Sequence, residues 1–211
     1  MLFGGVGPTP LGDIWRYFGG AWSQPPVGGP APDPRGEGAM VFDTPRVECV
    51  LFGGNDGTGA GLGDTWGLGF YASCVSMGQG CTGSNGLVPL LDCTPPILGQ
   101  SWTIVVSNLP VASGSCSAGQ PYLMWAFPPP IHFELDLTPY HAPGCQLSLP
   151  WIIPPIAGTN DNGVATWVVP LPNDKAFLGI PLVIRGLVVD PCANQLMVTT
   201  SNYAVATFGS R

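Results

Sequence analysis

The sequence predicts an all-β chain in two parts: a segment of short repeated sheets, then an antiparallel β-sandwich. Three observations lead there. Glycine (31 residues) and proline (25) are abundant and sit between short apolar runs, the pattern of many strands joined by tight turns. No stretch carries the 3.6-residue apolar period of an amphipathic helix. One motif is written twice, as Leu2-Phe3-Gly4-Gly5 with Leu11-Gly12-Asp13-Ile14-Trp15, and again as Leu51-Phe52-Gly53-Gly54 with Leu62-Gly63-Asp64-Thr65-Trp66.

The first halves of the two copies lie 49 residues apart and the second halves 51 apart, so the length difference falls in loop 55–61. A repeat of about 50 residues is the length of one four-stranded propeller blade. Leu-Phe reads as the end of an inner strand. The glycine pair lets the chain leave that strand through conformations closed to residues with a Cβ. Asp-x-Trp opens the next strand, with Trp15 and Trp66 large enough to fill the wedge between neighbouring sheets. Asp13 and Asp64 are placed to cap the preceding turn rather than to catalyse. Trp22 and the stretch Pro34-Arg35…Phe42-Asp43…Arg46 complete the pattern. On these residues, positions 1–69 resemble the kelch-repeat family.

That resemblance implies a β-propeller, of which this chain carries one to two blades. Propellers are typically built from about four to eight. Met1 leads straight into a motif strand, with no signal peptide and no opening strand for the first blade. The reading therefore expects the C-terminal end of a longer protein. An incomplete propeller would expose Leu51, Phe52 and Trp66 on an open sheet face, and residues 1–69 are expected to self-associate through that edge.

Residues 70–80 read as a linker and 81–211 as the β-sandwich. Strand candidates fall at 102–107, 122–127, 132–137, 146–149, 164–169, 182–189, 197–200 and 203–208. Alternation puts Trp102, Ile104 and Val106 on one face. Both faces of 164–169 are apolar, which predicts a central or covered strand. Thr159-Asn160-Asp161-Asn162-Gly163 reads as a hairpin connection. Four further stretches share a pattern: Leu135-Asp136-Leu137-Thr138-Pro139…Ala142-Pro143-Gly144-Cys145, Pro172-Asn173-Asp174…Leu178-Gly179, Asp190-Pro191…Asn194 and Ser201-Asn202. They resemble a C-terminal β-rich domain of large secreted proteins of planctomycete and myxobacterial type, over about 76–209. The resemblance implies location and architecture and assigns no catalytic residue. Cys93, Cys116 and Cys192 are not part of that pattern.

The seven cysteines show no CxxC spacing and are accompanied by only two histidines, which argues against a zinc or haem site. Disulfides formed in an oxidising compartment are the better reading. Cys74, Cys81, Cys93, Cys116, Cys145 and Cys192 are the candidates, their pairing open, and Cys49 is the one left over. Net charge is −7, and the six basic residues are scattered singly, so no surface is built to neutralise phosphates and nucleic acid is not expected as a partner. No apolar run reaches about 18 residues, so no membrane span is expected.

His132, Glu134 and Asp136 would share one face of a strand, where a metal or general-base site could be drawn. A solvent-facing polar edge opposite Phe133, Leu135 and Leu137 is the preferred reading; His141 is the other histidine. Asp161 with Asn160 and Asn162 could offer oxygens to calcium, but the loop lacks spaced acidic ligands and reads as an Asx turn. GxSxG, HExxH and P-loop motifs are missing, and no cofactor is implied. Trp125, Trp151 and Trp167 are not explained by blade packing; core filling is the default for them, a sugar-stacking surface the alternative.

These residues point to a non-catalytic extracellular binding, adhesion or scaffold module, secreted or at the cell surface, at the C-terminal end of a larger protein. Its partner would be another protein or a carbohydrate surface. The alternative is the end of a secreted kelch-type oxidase or hydrolase whose active site lies N-terminal to this chain.

Overall fold

The computed structural model describes residues 1–210 apart from 19, 26–29, 47, 127–132 and 150–153, with Phe18 described by its backbone alone. Among these residues the regular elements are β-strands and two short 3-10 turns, Thr138–Tyr140 and Lys175–Phe177, and the strands pair antiparallel throughout. Contacts divide the chain into two units, Met1–Phe70 and Tyr71–Arg211.

The first unit holds two open three-stranded sheets. One is β1 (Leu2–Val6), β2 (Pro10–Phe18) and β3 (Ala21–Ser23); the other is β4 (Ala39–Asp43), β5 (Glu48–Phe52) and β6 (Thr65–Gly69). The two motif copies share one register. Leu2 lies opposite Trp15 and Phe3 opposite Ile14; Leu51 lies opposite Trp66 and Phe52 opposite Thr65. Neighbouring residues on a strand face opposite ways, so each sheet has a Leu face and a Phe face.

The Phe face of the first sheet packs on the Leu face of the second: Phe3 and Ile14 meet Leu51, with Met40, Trp66 and Leu68 around them. Identical residues therefore end in opposite environments. Leu51 is 2% exposed and Leu2 45%, whereas Phe3 is 9% exposed and Phe52 55%. The expected exposure of Leu51, Phe52 and Trp66 is corrected accordingly. Phe52 alone is exposed; Leu51 is buried and Trp66 half-buried, because the neighbouring sheet covers that face.

The second unit contains a five-stranded sheet, a three-stranded sheet and a hairpin. Its strands are β7 (Ser73–Met77), β8 (Leu90–Cys93), β9 (Ser101–Ser107), β10 (Gln120–Ala126), β11 (Phe133–Asp136), β12 (Gln146–Leu149), β13 (Ile156–Ala157), β14 (Ala165–Pro170), β15 (Pro181–Val189) and β16 (Val198–Thr207). The orders are β13-β10-β15-β16-β7 and β14-β9-β8, with β11-β12 apart. One core draws on both larger sheets. Leu91, Trp102, Ile104, Val106 and Trp167 come from one; Leu123, Trp125, Ile184, Val188 and Ala204 come from the other. Trp102 sits edge-on to Trp125 at 5.4 Å and to Phe208 at 5.8 Å, and its indole N–H donates to the Thr94 carbonyl at 2.8 Å. A buried indole thus keeps its one polar group satisfied.

Four expectations change here. Residues 73–77 are not linker: β7 pairs with β16, Val75 opposite Val205, and Cys74 is bonded to Cys93 on β8. The segment Ser-Cys-Val-Ser-Met has too little alternation to announce a strand. Next, 197–200 and 203–208 join into the single strand β16. Polar Ser201 and Asn202 interrupt the pattern, but a bulge near Gly186 accommodates them. Gly186 N–H donates to Ser201 Oγ at 2.8 Å, while Asn202 pairs both ways with the Leu91 backbone, at 2.7 and 3.0 Å.

The other two concern residues 159–169. β14 is an edge strand, with Ala165 and Trp167 turned to the core and Val164 and Val168 exposed. The turn at 159–163 is no hairpin, since it links β13 of one sheet to β14 of the other.

The disulfides are Cys74–Cys93, Cys81–Cys145 and Cys116–Cys192, and Cys49 is unpaired. Cys81–Cys145 is buried with Leu137 and Ala142 in a second small core. Alkylation of denatured, non-reduced protein should label one thiol per chain; three or more would contradict the pairing. Burial raises the Cys49 thiol above its ordinary pKa, so in the folded chain it should react more slowly than a free thiol near pH 8. Replacing Cys81 and Cys145 by serine opens a loop of 64 residues, a loss of about 4 kcal/mol by chain entropy, readable in denaturant unfolding of residues 71–211.

Candidate functional site

A polar cluster of the first unit grows from the Asp-x-Trp motif. Positions i and i+2 of a strand share a face, so the carboxylate and the indole lie side by side. Trp66 Nε1 donates to Asp64 Oδ2 at 2.6 Å, and Trp15 Nε1 donates to Asp13 Oδ2 at the same distance. In the second copy Arg35 completes the site. Its Nη2 donates to Asp64 Oδ2 at 2.9 Å and its Nη1 to Asp64 Oδ1, a two-pronged match of guanidinium and carboxylate. Nη1 also reaches the Gly53 carbonyl at 3.2 Å, and Nε reaches the Asp33 carbonyl at 3.0 Å.

The main chain of Arg35 belongs to the first copy. Its N–H donates to the Leu11 carbonyl and its carbonyl accepts from Gly5 N–H, both at 3.0 Å. One residue therefore ties the repeats together, backbone to one and side chain to the other. The glycine pairs make room for it. A Cβ at Gly4 (φ 63°) would collide with the Arg35 carbonyl, and one at Gly54 (φ 107°) would come within 2.7 Å of the Gly36 carbonyl. Gly5 and Gly53 also have positive φ. Asp13 and Asp64 were expected to cap turns; their carboxylates instead hold an indole, and Asp64 a buried guanidinium as well. The side-chain bonds from Arg35 and Trp66 hold the Asp64 carboxyl well below the usual carboxylate range. The signal for this partnership was the Pro34-Arg35 pair, noted in the motif without a role.

The other candidates take structural places. Trp22 is exposed and tilts against Tyr17 with ring centres 5.3 Å apart. Trp125 and Trp167 are 8% and 7% exposed and pack in the core of the second unit, so neither offers a sugar-stacking surface. Trp151 and His132 lie outside the described residues.

Glu134 is not on a solvent-facing edge. It pairs with the fully buried Arg185 at 2.8 Å and accepts from Ser148 Oγ at 2.8 Å. Arg185 also donates to the Gln146 carbonyl at 2.7 Å and lies 5.3 Å from the Tyr203 ring centre. Phe133, expected on the apolar side of this strand, is exposed. Asp136 is exposed, and its carboxylate accepts from Thr138 N–H at 2.9 Å, which lowers its pKa.

His141 caps the first 3-10 turn in a left-handed conformation and is exposed. Asn160 is used up by the backbone: Oδ1 accepts from Gly163 N–H at 2.9 Å, and Nδ2 donates to the Pro110 and Gly119 carbonyls at 2.8 and 2.9 Å. Among the described residues no three His, Cys, Asp or Glu side chains converge as metal ligands.

Comparison with family models, curated proteins and solved structures found no match.

The Asp64 geometry sets a pH dependence. A carboxyl with a depressed folded pKa stabilises in full above its unfolded value of about 4 and loses that contribution as pH falls toward the folded value. Amide exchange at Gly5 and Gly36, which are bonded through the Arg35 loop, should stay slow from pH 7 to about 4 and quicken below it, after correction for intrinsic rates. In Asp64→Asn these amides should exchange faster at pH 7, with a smaller further change in acid.

Proposed function

We propose that this chain is a non-catalytic extracellular binding, adhesion or scaffold module from the C-terminal part of a larger secreted protein. In this reading residues 1–70 are kelch-like repeats of a partial propeller and residues 71–211 a β-sandwich. The observation that carries it is the apolar surface of the first unit. Val6, Tyr17, Trp22, Val41, Phe42 and Phe52 are all exposed, in a unit whose buried apolar core is Phe3, Ile14 and Leu51. Exposed apolar area is where a partner is expected to dock, and these side chains supply it on both sheets.

Three disulfides fit an extracellular or otherwise oxidising compartment. Among the described residues no helix is long and apolar enough to cross a membrane. The Tyr17–Trp22 pair suits stacking on a sugar ring or packing against an apolar protein patch. Self-association belongs to the same reading. A Phe face that already packs on a Leu face within the chain can do so between chains, head to tail.

The test is retention. Chain made in an oxidising compartment and immobilised should hold at least one member of a panel of cell-surface polysaccharides and proteins. Trp22→Ala, which touches no buried core, should weaken that hold about tenfold, the scale of one lost stacking contact. Failure to retain anything, together with peroxide release or hydrolysis by a longer form of the protein, would replace this reading with the enzyme alternative.

A further inference from the structure

The three disulfides differ in what surrounds them. Cys81 and Cys145 are 5% and 1% exposed, and the Cys81 sulfur accepts from Thr200 N–H at 3.2 Å. Cys74 and Cys93 are half-buried and pack against the main core of the second unit. Cys116 and Cys192 belong to neither core cluster; Cys116 is half-buried and Cys192 exposed. Cys116 also lines an open hollow of about 370 Å³ together with Ser84, Asn85, Val111 and Ser113. A hollow of that size has room for a small molecule beside the sulfur.

The two turns that carry this bond are closed without it. Ser113 and Cys116 exchange backbone hydrogen bonds at 3.1 and 3.0 Å, and Gly119 N–H donates to the Pro110 carbonyl at 2.8 Å. On the other side Asp190 N–H donates to the Met197 carbonyl at 2.8 Å, and Ala193 N–H donates to the Asp190 carbonyl at 3.1 Å. Opening the bond therefore leaves each sulfur on a turn that keeps its own hydrogen bonds, near its former partner. By contrast, Cys81–Cys145 is part of a buried core, and Cys74–Cys93 joins strands of two different sheets.

Exchange requires a thiolate to reach one sulfur and the other sulfur to leave as a thiolate. The hollow gives access to Cys116. Cys192 is exposed, so the charge it acquires on leaving is solvated. Charge then selects the incoming thiol. None of the residues lining the hollow is charged, but the Asp190 carboxylate spans its base: Oδ2 accepts from Ser84 N–H at 2.7 Å and Oδ1 from Cys192 N–H at 3.3 Å. Asp190 is 0% exposed, so water screens its field little. A carboxylate on the incoming thiol is repelled there, and an ammonium group is attracted.

We propose that Cys116–Cys192 is a reversible modification site for small cationic aminothiols. The aminothiol sulfur bonds to Cys116 Sγ, the bond between Cys116 and Cys192 breaks, and its electron pair goes to Cys192. The proton that the aminothiol gave up to form its thiolate is matched by the one that Cys192 takes up. One disulfide and one thiol become one mixed disulfide and one thiol, with no net oxidation. In the reverse step the Cys192 thiolate attacks Cys116 Sγ, restores the bond and expels the aminothiol. The site uses no residue of the first unit, so it stands or falls separately from the binding role.

The test uses the full chain, with its disulfides intact, in millimolar cysteamine near pH 8, quenched in acid, capped with N-ethylmaleimide and mapped by mass spectrometry. Cysteamine should appear on Cys116 and maleimide on Cys192, with the other two disulfides whole; Cys49 is read separately. Desalting before the cap should restore the bond and release the cysteamine. Circular dichroism should be the same before and after exchange. Measured against an unstructured peptide disulfide at equal thiolate, the chain should favour cysteamine over mercaptoacetate by about threefold or more. Several results would overturn the inference: no exchange where the peptide disulfide exchanges, another disulfide opening as fast, or cysteamine on Cys192. Loss of the folded signal on exchange, or the same preference between thiols as the peptide shows, would overturn it too.

Discussion

Burying a guanidinium commits the surrounding chain to one arrangement, and both units of this protein are organised by that constraint. Arginine remains charged in proteins, so removing it from water requires its donors to be met by fixed acceptors. Arg35 meets Asp64 and the carbonyls of Gly53 and Asp33, and it cannot do so unless the two repeats keep their relative position. Arg185 meets Glu134 and the Gln146 carbonyl through Nη1 alone and lies over the Tyr203 ring, which fixes the β11–β12 hairpin over the five-stranded sheet. In a chain with only 9% charged residues, each of these two buried arginines is held in an ion pair. Ion pairs of this kind add little net stability but select one geometry among several that would bury similar apolar area.

The second unit adds covalent constraint to a conventional core. Trp102 fills the space between the two larger sheets, and Asn202 replaces a strand partner for Leu91. Cys74–Cys93 ties the consecutive strands β7 and β8, whereas the other two disulfides close loops of 64 and 76 residues, from Cys81 to the end of the 3-10 loop and from the 113–116 turn to the loop before β16. Loop closure of this length restricts the unfolded chain, and bonds of this kind persist in an extracellular or otherwise oxidising compartment.

The first unit has the opposite character. Its two sheets cover each other on one face and leave the Leu2 face of one and the Phe52 face of the other open. Heterologous packing of this kind gives a ring where the rotation between sheets closes and an open stack where it does not.

The sequence by itself determined the all-β class, the repeat and its register, most strands of the second unit and the set of cysteines. These features are local: alternation, turn residues and motif spacing act within a few residues of each other. Tertiary structure alone decided that Arg35 serves Asp64 rather than solvent, that Leu51 is buried where Leu2 is exposed, and that Trp125 and Trp167 fill a core. It also decided which cysteines pair and that β7 belongs to a sheet rather than a linker. Each of those outcomes depends on which segment lies across from a residue, not on its neighbours in the chain. An identical Leu-Phe-Gly-Gly can therefore bury its Phe in one copy and its Leu in the other.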